Sequence, residues 1–253
     1  MARVYALANQ KGGVGKTTTA VNLGAYLAQA GKRVLLVDVD PQANATSSLG
    51  VDKNGLGRSI YDVLVGAESP VTVAMVTGCL GMDLLPASPG LAGAEVEMVD
   101  IPGRELRLRQ ALETVRGRYD FILIDTPPSL SMLTVNALTA ADAVLIPIQC
   151  EYLPLEGLTQ LLRTVDLVRQ SLNPDLFVRG LVLTMYDSRT NLSRQVVDEI
   201  RQHFPATVFN AIIPRSVKLS EAPSYGEPIT QYAPDSPGGQ AYAALCEELL
   251  AGE

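Results

Sequence analysis

Tryptophan is absent from this 253-residue chain, histidine occurs once and cysteine three times. Each scarcity removes a class of chemistry. One imidazole, His203, rules out a multi-histidine metal centre and argues against histidine base catalysis. Cys79, Cys150 and Cys246 are odd in number and widely spaced. They form no metal or redox motif, and small buried apolar residues are the expected role. No run of 18 apolar residues occurs, so no transmembrane helix is expected. The N-terminus lacks a charged region followed by an apolar stretch and a cleavage site; no export signal is readable and the cytoplasm is the expected compartment. Basic residues are also in deficit, 20 Lys and Arg against 27 Asp and Glu, a net charge of −7. That argues against broad attraction to nucleic acid or anionic membrane, and leaves room for a local basic patch.

What is present is concentrated near the start. Residues 4–8 are an apolar run, residues 18–30 carry a helical pattern, and between them lies Asn9-Gln10-Lys11-Gly12-Gly13-Val14-Gly15-Lys16-Thr17-Thr18. Strand, glycine-rich turn and helix form the context of a phosphate-binding loop. The glycines let successive N–H groups turn toward an anion, and the helix N-terminus adds about half a positive charge. Lys16 is expected against the β- and γ-phosphates of ATP, and Thr17 is expected to give its hydroxyl to Mg²⁺. The usual G-x-x-x-x-G-K-[ST] pattern is not fully met, because its first position falls on Gln10. A second lysine, Lys11, stands at the start of the loop. It is either a solvated charge or a group reaching a second nucleotide across a dimer, as an arginine finger does. In the second case Gly12 lacks a side chain because two loops face each other closely.

Two further segments end apolar runs on acids. Residues 32–37 read as a buried strand closing on Asp38-Val39-Asp40, and residues 121–124 as another closing on Asp125. Carboxylates at such strand ends lie in the crevice where α/β sheets bind ligands. An ionised carboxylate there orients a water or takes its proton; the alternative for the pair Asp38 and Asp40 is a turn and helix cap before residues 44–49. Asp125 reads as the Walker-B acid that holds Mg²⁺ beside Thr17. Thr126-Pro127-Pro128 makes a stiff turn after it.

Elsewhere the pattern predicts strands at residues 82–85, 143–148, 179–185 and 208–213. It predicts helices at 59–65, 106–116, 158–171, 191–204 and in the tail, 239–253, and loops at 53–57 and 86–93. Positions 158, 161, 162, 165 and 168 form a helical apolar stripe. The fold class is therefore α/β: a mostly parallel twisted sheet with helices on both faces, of P-loop type.

The KGGVGKTT loop resembles the deviant Walker-A ATPases, the ParA/MinD superfamily. Asp125-Thr126-Pro127-Pro128-Ser129-Leu130 resembles the family's second switch. Gln149-Cys150-Glu151-Tyr152, Leu155-Glu156-Gly157-Leu158 and the string from Pro214 to Ser224 narrow the resemblance to the ParA/Soj branch. It spans nearly the whole chain, and a single domain over residues 1–253 is expected. The resemblance implies that Lys11 contacts the partner subunit's nucleotide, that Asp40 positions the attacking water and that Asp38 lies near the Mg²⁺ shell. It implies nucleotide contacts from Lys11, Gly12, Gly13, Val14, Gly15, Lys16, Thr17 and Thr18, with Met185, Pro214 and Ser216 near the base. Arg215 has a flat guanidinium suited to stacking or to phosphate. Arg189 and Lys218 match positions that contact DNA, although arginine is usual where Lys218 stands. The helix after residue 157 is implied at a dimer interface, though its stripe equally fits core packing.

The function so implied is a partner-stimulated Mg²⁺-dependent ATPase. It would dimerise with ATP, bind double-stranded DNA nonspecifically on the nucleoid, and drive chromosome or plasmid segregation with a ParB/Spo0J-type centromere-binding protein. The alternative is a MinD-like membrane-associated ATPase that positions cell division. The acidic tail, Cys246-Glu247-Glu248-Leu249-Leu250-Ala251-Gly252-Glu253, and Gln10 in the loop argue against it, since a membrane-targeting helix carries a basic polar face. No membrane contact is expected.

Overall fold

The computed structural model describes residues 1–253 except 80, 152–154 and 206. Tyr152, in one of the stretches that carry the family resemblance, therefore lies outside the described residues. Among the described residues eight strands form one sheet: β1 (Arg3–Leu7), β2 (Val34–Asp38), β3 (Met75–Val76), β4 (Met82–Leu85), β5 (Phe121–Asp125), β6 (Ala143–Gln149), β7 (Phe177–Tyr186) and β8 (Val208–Pro214). Their spatial order is β3-β4-β2-β5-β1-β6-β7-β8, and every pairing is parallel except β3 with β4.

Alternation along the strands divides the core in two. Val4, Ala6, Leu35, Val37, Ile122 and Ile124 belong to one buried cluster; Tyr5, Leu7, Val34, Leu36 and Leu123 belong to the other. Successive side chains point to opposite faces, so strands apolar at every position must be covered on both sides. The helices Lys16–Gln29 and Pro237–Ala251 bury their apolar positions with the second cluster. Met132–Ala140, Leu155–Ser171 and Asn191–His203 do so with the first. In Leu155–Ser171 the stripe Leu158, Leu161, Val165 and Val168 is turned into that core. The stripe is core packing in this chain.

Three local expectations change. The predicted helix over 106–116 is shorter, Arg107–Glu113, with 3₁₀ turns at Arg104–Leu106 and Arg116–Arg118. Gly103 precedes the first of those turns and Gly117 lies inside the second, each a poor helix former. The predicted loop over 86–93 runs into a helix, Leu91–Glu97. β3 was not anticipated: two exposed residues carry no alternation to read.

Parallel order brings the carboxyl ends of β1, β2 and β5 together. In the register, Leu7 and Asp38 both lie beside Asp125. The chain leaves β1 toward β2 on one side, while β6 lies on its other side. That reversal opens the crevice in which such sheets bind ligands.

Candidate active site

The loop after β1 takes the required shape at two glycines. Gly13 has φ +74° and Gly15 has φ +88°, the left-handed region that other residues enter at a cost. Gly15 is also the N-cap of Lys16–Gln29. Gly12 is different. Its φ lies outside that region, and a Cβ there would meet only Pro128 Cβ at 3.9 Å, an ordinary contact. Nothing among the described residues of the single chain requires glycine at position 12.

Lys16 is buried, and its Nζ lies 3.5 Å from the Lys11 carbonyl oxygen. Burial lowers its pKa from the ordinary lysine value, opposed by the charges of Asp125 and Asp40. Thr17 donates its hydroxyl to Asp125 Oδ2 at 2.7 Å. Asp125 is fully buried, and its Oδ1 has no hydrogen-bond partner. Burial raises its carboxyl well above the usual carboxylate range, and the neighbouring Asp38 raises it further. Asp40 is buried, and its Oδ1 accepts from the Gln42 N–H at 2.9 Å.

Asp38, Asp40 and Asp125 set three carboxylates against one ammonium, which leaves two formal negative charges to be balanced. A divalent cation beside Thr17 and the free Asp125 oxygen would balance them and fill the orphaned valence. Among the described residues no group of three or more His, Cys, Asp or Glu forms a metal cage. That fits Mg²⁺, which takes one or two protein ligands and completes its shell with phosphate and water. The residues present therefore fit the ion.

Asp38 does something else with its oxygens. Oδ1 accepts the Asp40 N–H at 3.1 Å; Oδ2 accepts the Thr46 N–H at 2.9 Å and the Thr46 hydroxyl at 2.8 Å. Burial still pushes its carboxyl up to about 6, against the pull of those donors. Thr46 Oγ1 in turn accepts the Ala87 N–H at 2.9 Å. Asp38 and Thr46 thus tie the turn carrying Asp40 to the segment after β4. Thr46 had no sequence signal, because its partners lie eight and 41 residues away.

A cleft of about 470 Å³ is lined by Gly12, Gly13, Gly15, Lys16, Thr17 and Thr18 together with Asp40, Pro128 and Met185. Gln42, Asn44 and Ser47 join its wall. The glycine loop and the water-positioning candidate therefore face one space. A second cavity of about 200 Å³ shares Gly15, Thr18 and Met185, and adds Pro214, Arg215 and Ser216. Met185, Pro214 and Ser216, assigned to the base by resemblance, thus line one hollow beside the phosphate loop, and Arg215 joins them. Met185 adopts φ +52°, rare for a side chain of this size. Thr184, before it, donates its hydroxyl to the Val14 carbonyl at 2.8 Å and so joins β7 to the loop; Thr184 and Pro223 are wall residues that sequence reading missed.

The basic candidates are all paired. Arg189 grips Asp187 with Nε and Nη2 at 2.9 and 2.7 Å, holding that carboxyl down at about 2. Lys218 Nζ lies 2.9 Å from Glu221 and 5.4 Å from the centre of the Tyr232 ring. Arg215 is ion-paired with Glu151. Lys11 is exposed.

A family model described as an AAA domain matches residues 2–178. The chain is 54% identical over 251 residues to the sporulation initiation inhibitor protein Soj of Bacillus subtilis, covering 99% of each. It is 53% identical over 253 residues to the chromosome partitioning protein ParA of Caulobacter vibrioides, covering 99% of this chain and 95% of that one. Among solved structures, it resembles a cobyrinic acid a,c-diamide synthase from Mycobacterium smegmatis with bound ADP and magnesium. There the identity is 44%, the TM-score 0.88, and coverage 99% of this chain and 94% of the other. With a deviant phosphate loop, two acid-ended central strands and full-length identity above half to named partition proteins, the chain belongs to the ParA/Soj family of P-loop partition ATPases.

Proposed function

We propose that residues 1–253 act as one Mg²⁺-ATP-dependent switch. The chain would pair with a second copy when ATP is bound, hold double-stranded DNA without reading bases, and separate on hydrolysis stimulated by a ParB/Spo0J-type centromere-binding partner. Chromosome or plasmid segregation on the nucleoid, in the cytoplasm, would be the outcome. The observation that carries this reading is the shared cleft: the glycine loop, Lys16 and Asp40 line it, and Asp125 presents an unpaired buried oxygen behind it.

The chemistry assigns roles in order. Loop N–H groups and Lys16 would hold the β- and γ-phosphates. Thr17 and Asp125 would hold Mg²⁺, which when bound offsets phosphate charge. Asp40 would orient the attacking water and accept its proton as the bond to the leaving β-phosphate oxygen breaks. Asp38 would act behind it by fixing the Asp40 backbone. Lys11 would reach the nucleotide of the opposite subunit. Its exposure and the dispensability of Gly12 within one chain support that, because a facing loop is what a side chain at position 12 would obstruct. Arg189 and Lys218 follow the carboxyl ends of the adjacent strands β7 and β8, so both serve one rim for DNA phosphates.

The test is the molar mass of Asp40→Ala by light scattering with ADP and with Mg²⁺-ATP, followed by DNA binding at two salt concentrations. We expect turnover to fall by about 10²–10⁴, the mass to double with ATP, and salt-sensitive DNA binding only then. An unchanged mass would overturn the dimer role of Lys11. Doubling without DNA binding would favour a MinD-like switch if vesicles of anionic lipid bind instead. Turnover that rises with cobyrinic acid and not with DNA would favour the activity named for the Mycobacterium smegmatis structure.

A further inference from the structure

Gln10 stands where the usual phosphate-loop pattern has glycine, and nothing in the proposed chemistry uses it. Its neighbour Asn9 is fully employed: Nδ2 donates to the Pro147 carbonyl at 2.7 Å, and Oδ1 accepts the Lys11 N–H at 3.0 Å. Gln10 is the opposite case. Its Nε2 is buried and has no hydrogen-bond partner among the described residues. An amide so placed gives up water and gains no bond in return, an arrangement that native chains rarely keep without a use.

The unpaired groups are not scattered. Among the described residues five buried side-chain polar atoms lack a partner, and three of them belong to Gln10, Asp125 and Ser131. Asp125 opens the segment 125–131 and Ser131 closes it. Mg²⁺ would fill the valence of Asp125 Oδ1, but it does not account for the Ser131 hydroxyl. Ser131 is the N-cap of Met132–Ala140 and has the extended backbone of a capping serine, yet it makes no side-chain cap bond. The Leu133 N–H within that first turn goes to Glu95 Oε1 at 3.4 Å instead. Between its ends the segment meets the loop: Pro128 Cβ lies 3.9 Å from where a Cβ on Gly12 would stand. Pro128 is in the wall of the nucleotide cleft and Gln10 is not. A nucleotide would therefore reach the segment directly, and Gln10 only through it.

We infer that Gln10 is a positioning residue for ATP hydrolysis: its carboxamide, unpaired in this arrangement of the segment 125–131, is taken up by that segment when it closes on the γ-phosphate, and the Ser131 hydroxyl is paired in the same movement. The inference rests on the proposed ATP-dependent switch. Gln10 offers N–H donors, while Pro127 and Pro128 carry carbonyls and no N–H, so the turn presents acceptors without competing donors. Without ATP the chain bears two unsatisfied groups; with ATP it satisfies them. ADP has no γ-phosphate to draw the segment in. Gln10 thus favours ATP over ADP while touching neither, because it pairs in only one of two arrangements.

The experiment uses the full chain. It is melted without nucleotide, and titrated by calorimetry with ADP and with a non-hydrolysable ATP analogue, each with Mg²⁺; light scattering gives the molar mass with each ligand. The variants are Gln10→Met, which keeps the length and removes the polar end, and Ser131→Ala. Gln10→Met should melt at or above the wild-type temperature, since it deletes an unpaired amide. It should weaken binding of the ATP analogue about ten-fold and leave ADP affinity unchanged, the scale of one buried hydrogen bond. Ser131→Ala should move both readouts in the same directions. A merely structural glutamine would lower the melting temperature and weaken both nucleotides together. A lower melting temperature for Gln10→Met, or an unchanged ratio of analogue to ADP affinity in both variants, would overturn the inference. Analogue affinity that recovers at high protein concentration would place the acceptor in a second copy, and would overturn the assignment to residues 125–131. A wild type with one molar mass in both ligands, while Gln10→Met still shifts the ratio, would keep the role of Gln10 and overturn the dimer switch instead.

Discussion

At the carboxyl ends of β1, β2 and β5 the charged groups are buried and interlocked. Beyond the ends of β7 and β8, on the same edge of the sheet, they are exposed and paired one to one. Lys16, Asp38, Asp40 and Asp125 sit at or below 6% exposure and share partners. The Arg189 and Lys218 side chains are 83% and 52% exposed, each held by one local carboxylate. Buried charges strongly constrain each other because the medium screens them little and an unpaired one is costly. Exposed pairs contribute about 0–1 kcal/mol and exchange partners readily. The cleft is thus built to hold one geometry, while the basic rim is built to let go. A surface meant to bind DNA reversibly benefits from cations already balanced by a carboxylate that a phosphate can replace.

The sharpest way to break that comparison is Lys16→Ala. Removing the only ammonium among three carboxylates should weaken ATP binding by more than about 100-fold, since its charge faces several phosphate oxygens. Calorimetry with Mg²⁺-ATP checks this, and retained affinity would end the phosphate-loop assignment. Next in size is Thr46→Val. The hydroxyl that serves both Asp38 and the Ala87 N–H is lost at similar volume, leaving two buried groups underpaired. A loss of about 2–4 kcal/mol is expected, read as a lower melting temperature that Thr46→Ser restores. A melting curve matching wild type would show that Asp38 does not depend on Thr46.

The smallest effect sharpens the comparison from the other side. Asp187→Asn keeps the oxygen that accepts the Arg189 N–H at 3.0 Å and removes the charge facing the guanidinium. ATP turnover should be unaffected, while DNA affinity at low salt should rise about two- to five-fold, the worth of one exposed ion pair. Unaltered DNA affinity would mean that Arg189 is not a contact, and would move attention to other exposed cations on that rim.

Much of this was legible beforehand. The strand–loop–helix at residues 4–30 and the acid-ended strands at Asp38 and Asp125 declare themselves locally, because glycine, lysine and threonine at fixed spacing leave the backbone few alternatives. The pairing of Arg189 with Asp187 and of Lys218 with Glu221 was also within reach, since the partners lie two and three residues apart. Arg215 with Glu151 was not, at a separation of 64 residues. Neither were the bond from Thr184 to the loop, 170 residues away, nor that between Thr46 and Ala87. Helix ends near Gly103 and Gly117 moved by a few residues, as boundaries do when terminal turns tighten.

The sequence by itself determined the phosphate loop, the continuously apolar strands that need cover on both faces, and the acids at the ends of β2 and β5. These follow from short-range constraints: backbone angles, side-chain period and the spacing of charge. Only the tertiary structure decided that the stripe of Leu155–Ser171 faces its own core. It also decided that Asp38 spends its oxygens on Thr46 and the Asp40 backbone while Asp125 keeps one free. Those outcomes depend on which distant groups the sheet order brings within about 3 Å. Hydrogen bonds are directional enough that such distances, and not composition, assign each carboxylate its work.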